Sequence, residues 1–290
     1  MQINKNLKFI IFCFIVFLSF DSHTDDGFSI SAVIETPQVE INGNADDPAI
    51  WFNEEDPSLS IVFGTDKYNG VYSYNLSGDV IGFSKSGSMN NIDLRTLNDN
   101  TYIFTTDSSN NTVNVWVYKN SYLHNKSKEG SFALDKIPHH TSKVNFLAYG
   151  LCGGLSQKDE VIIFVTEAKG PGVQLWKFDD VKLSLLNTFN NSNAYESEGC
   201  VFDDENQKFF ISEENKKGVI RSYSLTNKLL LDNKFRIDDR NGNITGDPEG
   251  LAILKTSKHE GFLIASSQGS STFNIYDRKH PHQFISSFNI

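Results

Sequence analysis

SIVFGTDKYNGVYSYNL at 60–76 recurs as TYIFTTDSSNNTVNVWVY at 101–118. Three further copies follow: VIIFVTEAKGPGVQLWKF (161–178), KFFISEENKKGVIRSYSL (208–225) and GFLIASSQGSSTFNIYDR (261–278). Each copy is an apolar strand, a polar break, and an alternating strand that carries an aromatic residue. The period-2 pattern of Val71-Tyr72-Ser73-Tyr74 and Val113-Asn114-Val115-Trp116 is that of β-structure. Ahead of each copy stands a short acidic or glycine-containing element leading into another apolar stretch. These are DDPAIW (46–51), NIDLR (91–95), YGLCGG (149–154), SEGCVF (197–202) and DPEGLAIL (247–254). Gly150, Gly199 and Gly250 mark equivalent points 49 and 51 residues apart. Strand-rich repeats of about 40–50 residues specify an all-β fold of the β-propeller type. Five repeats are countable, and no helical period of useful length is visible. The first element of each repeat is then the inner strand, so its acidic residues converge on the central channel. Phe28–Ile34 alternates as well and reads as a loose strand before the first repeat.

The N-terminus bears on compartment. Lys5 and Lys8 precede an apolar run from Phe9 to Phe20, and the polar Asp21–Asp26 follows. A basic start, a short apolar run and a polar exit predict a signal peptide over 1–22 and a secreted or periplasmic protein. The run is shorter than the roughly 20 residues that span a bilayer, and no later stretch is long enough. Removing 1–22 takes away Lys5, Lys8 and Asp21, so the net charge of −10 becomes −11. That acidity argues against nucleic acid as a partner, because phosphate backbones are bound by basic patches. It suits a protein that binds cations. Cys152 and Cys200 are the cysteines beyond the signal segment; they are too few for a disulfide framework or a zinc set, and their pairing is left open. His139-His140 lies in the polar stretch 124–143 outside the repeat and reads as loop.

Taken in order, DDPAIW, NIDLR, Tyr149-Gly150, Glu198-Gly199, DPEG (247–250) and LIASSQGSS (263–271) resemble the β-propeller phytases, which are six-bladed calcium enzymes. The resemblance covers about 31–290 and makes 23–290 one phytase-like domain. It implies that Asp46, Glu198, Glu214, Asp247, Glu249 and Gln268 surround calcium ions, with Asp47, Asn91 and Asp93 as further candidates. Calcium is a hard ion that takes six to eight oxygen ligands, which this residue set supplies. The resemblance places Tyr149 beside the ions and gives Lys67 and Lys169 to substrate phosphates. Arg95 is a further cationic candidate near the channel. The implied reaction is hydrolysis of a phosphate monoester, with phytate as the expected substrate and a monomer as the expected state. No GxSxG elbow, Walker loop or HExxH suggests another chemistry. Two departures stand out. Ser109 occupies a position where the family has a phosphate-binding arginine. Family members also continue past the position of Ile290, so the pattern implies a sixth blade that is incomplete here. A degenerate propeller that binds calcium or phosphorylated ligands without turnover is therefore the alternative.

Overall fold

The repeated alternating stretches form strands, and each strand pairs with the next through a short turn. The computed structural model describes residues 28–39, 43–214 and 217–290. The segment read as a signal peptide lies outside them. A two-residue strand β1 (Phe28–Ser29) precedes five four-stranded antiparallel sheets. Blade 1 contains β2 (Ala45–Trp51), β3 (Ile61–Asp66), β4 (Gly70–Tyr74) and β5 (Val80–Ser84). Blade 2 contains β6 (Met89–Leu97), β7 (Asn100–Asp107), β8 (Thr112–Lys119) and β9 (His140–Lys143). Blade 3 contains β10 (Ala148–Leu155), β11 (Val161–Glu167), β12 (Gly172–Phe178) and β13 (Leu183–Asn190). Blade 4 contains β14 (Cys200–Asp203), β15 (Lys208–Ser212), β16 (Ile220–Leu225) and β17 (Leu231–Asp238). Blade 5 contains β18 (Asp247–Lys255), β19 (Gly261–Gln268), β20 (Thr272–Asp277) and β21 (Phe284–Asn289), with β1 added in parallel beside β21.

This is a five-blade propeller arrangement. The described residues build no sixth sheet, so the six-bladed expectation is not met by them. Four buried apolar clusters lie between consecutive blades, around Trp51 and Trp116, Phe104 and Trp176, Phe164 and Phe209, and Phe210 and Tyr276. Blades 1 and 5 each keep a barer inner strand. Ile50 and Phe52 near the end of β2 are 58% and 60% exposed, and Leu254 on β18 is 54% exposed. Residues after β1 run to blade 1, where the Glu35 carbonyl and Ile34 pack against Gly78 in the β4–β5 turn. The N-terminal segment thus straps the outer edge of blade 5 to blade 1.

Two local readings change. The polar stretch after β8 contains a helix, α1 (Asn120–Lys128), which shows no apolar period because Leu123 is its one buried residue. His140 begins β9, opposite Val115, while His139 accepts from Val117 N–H and bonds Asp135. These histidines belong to the blade's outer edge.

The inner strands share one irregularity. In β2, β6, β10 and β18, two residues oppose a single residue of the next strand. The bulged pairs are Asp46-Asp47, Asn90-Asn91, Tyr149-Gly150 and Glu249-Gly250. Glu198-Gly199 takes the same place just ahead of β14, where Ser212 N–H donates to the Gly199 carbonyl. A bulge bends its strand and re-aims the side chains it carries. Opposite these pairs stand hydroxyl residues that tie each blade to the next. Thr65 donates to the Asn90 carbonyl (2.7 Å), Thr106 to Tyr149 (2.6 Å), Thr166 to Ser197, and Ser212 to Glu249 (2.7 Å). Two glycines make the close approach possible. A Cβ at Gly150 would lie 1.9 Å from the Glu198 carbonyl oxygen, and one at Gly199 would lie 1.4 Å from that of Glu249.

Cys152 on β10 and Cys200 on β14 form a disulfide between the inner strands of blades 3 and 4. The bond closes a loop across a sequence separation of 48 residues. Restricting the unfolded chain over such a loop stabilises by about 4 kcal/mol in the chain-entropy model. Replacing both cysteines by serine should lower the unfolding free energy by that order and bring the denaturant midpoint below that of the oxidised protein. Equal midpoints for the two proteins would show that the bond contributes nothing.

Candidate metal centre

The bulges decide which side chains meet at one mouth of the channel. Carboxylate oxygens of Glu198, Glu214 and Glu249 lie within 4.8 Å of one another. Glu198 and Glu249 come from the bulges of blades 4 and 5, and Glu214 follows β15. A cavity of about 450 Å³ opens here, lined by Asp46, Asp47, Asn91, Glu198 and Glu249 among others. Lys67, just after β3, reaches in with its Nζ 2.9 Å from Asp46 Oδ1 and 3.3 Å from Glu198 Oε1. It also lies over the Tyr149 ring at 5.6 Å. The Tyr149 hydroxyl donates to Glu198 Oε2 (2.9 Å), and the Asn90 amide donates to Glu198 Oε1 (3.1 Å). Glu198 is thus held from three sides.

Crowding of buried carboxylates raises their affinity for protons. Burial, then the charges of Glu198 and Glu249, push Glu214 up to about 8. Burial and Glu198 raise Glu249 to about 7, and the same two causes bring Asp46 to about 6. Asp47 is raised to about 8, chiefly by burial, although it accepts the Ile92 N–H. Lys67 moves the other way. Burial alone would lower it, but the Glu198 and Asp46 carboxylates hold it above its ordinary value. Glu214 Oε1 is buried and has no hydrogen-bond partner. A hard divalent cation fits this centre, because it supplies that partner and neutralises carboxylates that otherwise hold protons.

The remaining sequence candidates fall into three groups. Asn91 accepts from the Asn90 amide beside Glu198, and Asp247 pairs with Arg240 at the same mouth. Gln268 is exposed and lies opposite Asp247 in the β18–β19 ladder. Lys169 is exposed in the β11–β12 turn. Arg95 and Asp93 sit further along β6. Arg95 Nη1 bonds Asp93 (3.1 Å), its Nε bonds Asp204 (2.9 Å), and its Nη2 bonds the Phe202 carbonyl (3.1 Å). Asp93 also accepts Gly153 N–H (2.8 Å). Arg95 lines a larger cavity of about 550 Å³ at the opposite ends of the inner strands, where it ties blade 2 to blade 4. Its donors are engaged there. Asn90 and Arg240 were not anticipated. Asn90 had a signal available, since it takes the same bulge position as Asp46, Tyr149, Glu198 and Glu249.

The channel mouth of this propeller thus concentrates carboxylates around a lysine and a tyrosine. A family model described as Phytase matches residues 10–290, and the chain belongs to the phytase family. It is 27% identical over 279 residues to the 3-phytase of Bacillus subtilis (strain 168), spanning 91% of this chain and 70% of that protein. Among solved structures it is similar to a putative 6-phosphogluconolactonase from Bacteroides fragilis NCTC 9343, with TM-score 0.53 and 11% identity over 82% of each chain. A periplasmic gluconolactonase of Pseudomonas aeruginosa matches with TM-score 0.52 and 12% identity, over 83% of this chain and 70% of that one. The last two likenesses concern the fold alone.

The raised acids carry a pH signature. Each keeps its proton in the folded chain at pH values where the unfolded chain, with ordinary values of 3.8 and 4.5, has lost it. The folded state therefore binds more protons between about pH 4 and about pH 8, and stability falls as pH rises through that window. In chelator, the melting temperature should drop from pH 5 to pH 8, and millimolar calcium should remove most of the drop. A chelator profile that is flat or rising over this range would contradict the clustered-acid account.

Proposed function

We propose that this chain is a calcium-dependent phosphomonoester hydrolase that releases phosphate from inositol phosphates such as phytate. The observation that carries the reading is the Glu198–Glu214–Glu249 centre with Lys67 at its edge. Membership of the phytase family and the likeness to a 3-phytase support the reaction class. Glu198, Glu214 and Glu249 would hold calcium, with Asp46 and Asp47 beside them. When bound, calcium neutralises phosphate oxygens and makes bound water more acidic.

The chain's own groups then have distinct work. Glu198 is oriented by the Tyr149 hydroxyl and the Asn90 amide, so its two oxygens point in fixed directions. Lys67 is a single flexible cation shared between Asp46 and Glu198, from which it can turn to a phosphate oxygen and stabilise charge on the transferring group. Water attack on phosphorus breaks the bond to the inositol oxygen, and the leaving oxygen takes up a proton. Export is part of the proposal. The Cys152–Cys200 bond supports it, because structural disulfides persist in oxidising compartments.

A second reading is favoured by one position. Ser109 is a short side chain whose hydroxyl donates to Ser88 Oγ (2.6 Å), and it offers no fork to a phosphate. A propeller that binds calcium and phosphorylated ligands without turnover would have this feature. Phosphate release from phytate separates the two. Release should require calcium, stop in chelator, and fall roughly a hundredfold in Lys67→Ala, the effect of losing one transition-state contact worth ~3 kcal/mol. Protein that binds calcium yet releases no phosphate would leave the binding reading in place of the hydrolase.

A further inference from the structure

Inner strands β10 and β14 belong to separate sheets, so no ladder of backbone hydrogen bonds joins them. Their junction at the acidic mouth holds the Thr166 hydroxyl bond to Ser197, the close approach of Gly150 to the Glu198 carbonyl, and the Cys152–Cys200 bond. Both cysteines are buried, and Cys200 forms part of the wall of the cavity that Glu198 and Glu249 line. Cys200 stands two residues after Glu198, and Cys152 three residues after Tyr149. The Tyr149 hydroxyl in turn donates to Glu198 Oε2 (2.9 Å). Chain, disulfide and hydrogen bond therefore close a ring. It runs from Tyr149 along β10 to Cys152, across to Cys200, back to Glu198, and over the hydrogen bond to Tyr149. The remaining cysteine, Cys13, lies outside the described residues, so no other junction between the described blades has such a tie.

We propose that the Cys152–Cys200 bond is a positioning element of the acidic centre, which sets how tightly its carboxylates take a cation. The inference rests on the reading of Glu198, Glu214 and Glu249 as a calcium site. Glu198 is the carboxylate whose charge presses on both Glu214 and Glu249. When no cation is bound, that repulsion pushes the inner strand of blade 4 away from its neighbours, and a cation must draw it back. A cross-link that resists the spread holds the carboxylates near their binding positions, and preorganisation of this kind strengthens binding. Partners that orient a metal ligand typically change metal affinity by about 10–100-fold. The path from the disulfide to the centre runs through the Tyr149 hydroxyl, because that group fixes the direction of Glu198 relative to β10.

Reduction by the dithiol dithiothreitol tests this. The reagent supplies two electrons and two protons, the S–S bond breaks to leave two thiols, and the reagent closes to its own cyclic disulfide. If the oxidised protein binds calcium more tightly than the reduced one, calcium must lower the reduction potential of the cysteine pair by the matching amount. Calorimetric titration with calcium, well below the melting transition, compares oxidised protein, reduced protein and the double variant Cys152→Ser with Cys200→Ser. Reduction and the double substitution should each weaken calcium binding about tenfold or more. Equilibration with dithiothreitol should then give a potential about 30 mV more negative in saturating calcium for each tenfold. In Tyr149→Phe, which keeps the disulfide, reduction should have little effect on calcium affinity. A bond that only supports the fold would lower the denaturant midpoint and move none of these readings. Equal affinity in oxidised and reduced protein, a potential indifferent to calcium, or an undiminished effect in Tyr149→Phe would each overturn the proposal. Loss of the strand signal in far-ultraviolet circular dichroism on reduction would assign the bond to the fold alone and overturn it too. Oxidised protein that binds no calcium would instead remove the cation-site reading, and the inference with it.

Discussion

The structure depends on one extra residue in four of the five inner strands, and on the Glu198-Gly199 pair that takes the same place just ahead of the other. Without the bulge, strict alternation would send neighbouring side chains to opposite faces of the sheet. With it, the pairs from Asp46-Asp47 to Glu249-Gly250 are turned toward one mouth of the channel. The hydroxyl bonds from Thr65, Thr106, Thr166 and Ser212 hold these pairs blade to blade. Scaffold and site are therefore the same feature. Any change that removes the staple between blades also displaces a carboxylate or its neighbour.

The staple has a direction, and it runs out at blade 5. Ser266 stands opposite the Glu249-Gly250 bulge and accepts Gly250 N–H (2.8 Å), but among the described residues it bonds no following blade. Asp46 and Asp47 at the other end of the series are correspondingly bare of a preceding blade. The acidic centre is built mainly between blades 4 and 5, with Lys67 and Tyr149 reaching over from blades 1 and 3. The Cys152–Cys200 bond secures the junction next to it, two residues from Glu198. Rigidity is thus placed where like charges are crowded.

Much of this was legible in the sequence, for physical reasons. Strand alternation around Tyr72 and Trp116 and the spacing of Gly150, Gly199 and Gly250 gave the blades and put the acidic elements on inner strands. The family resemblance picked out Glu198, Glu214 and Glu249, which do meet. Three things were hidden. A bulge breaks period 2 locally, so it reads as irregularity and conceals that Asn90 shares a place with Glu198. Arg95 and Asp93 have the charges a site needs, but a salt bridge to Asp204 on a distant blade engages them at the far mouth. The helix α1 is too polar to show an apolar face.

The central claim is that the bulged acidic centre is a cation site. A crystal structure grown in calcium, with anomalous diffraction recorded, tests it directly. The account predicts an anomalous peak bound by Glu198, Glu214 and Glu249 at calcium–oxygen distances of about 2.3–2.6 Å, with Lys67 displaced toward solvent. Glu198 still paired with Lys67, and no peak among the three carboxylates, would contradict it.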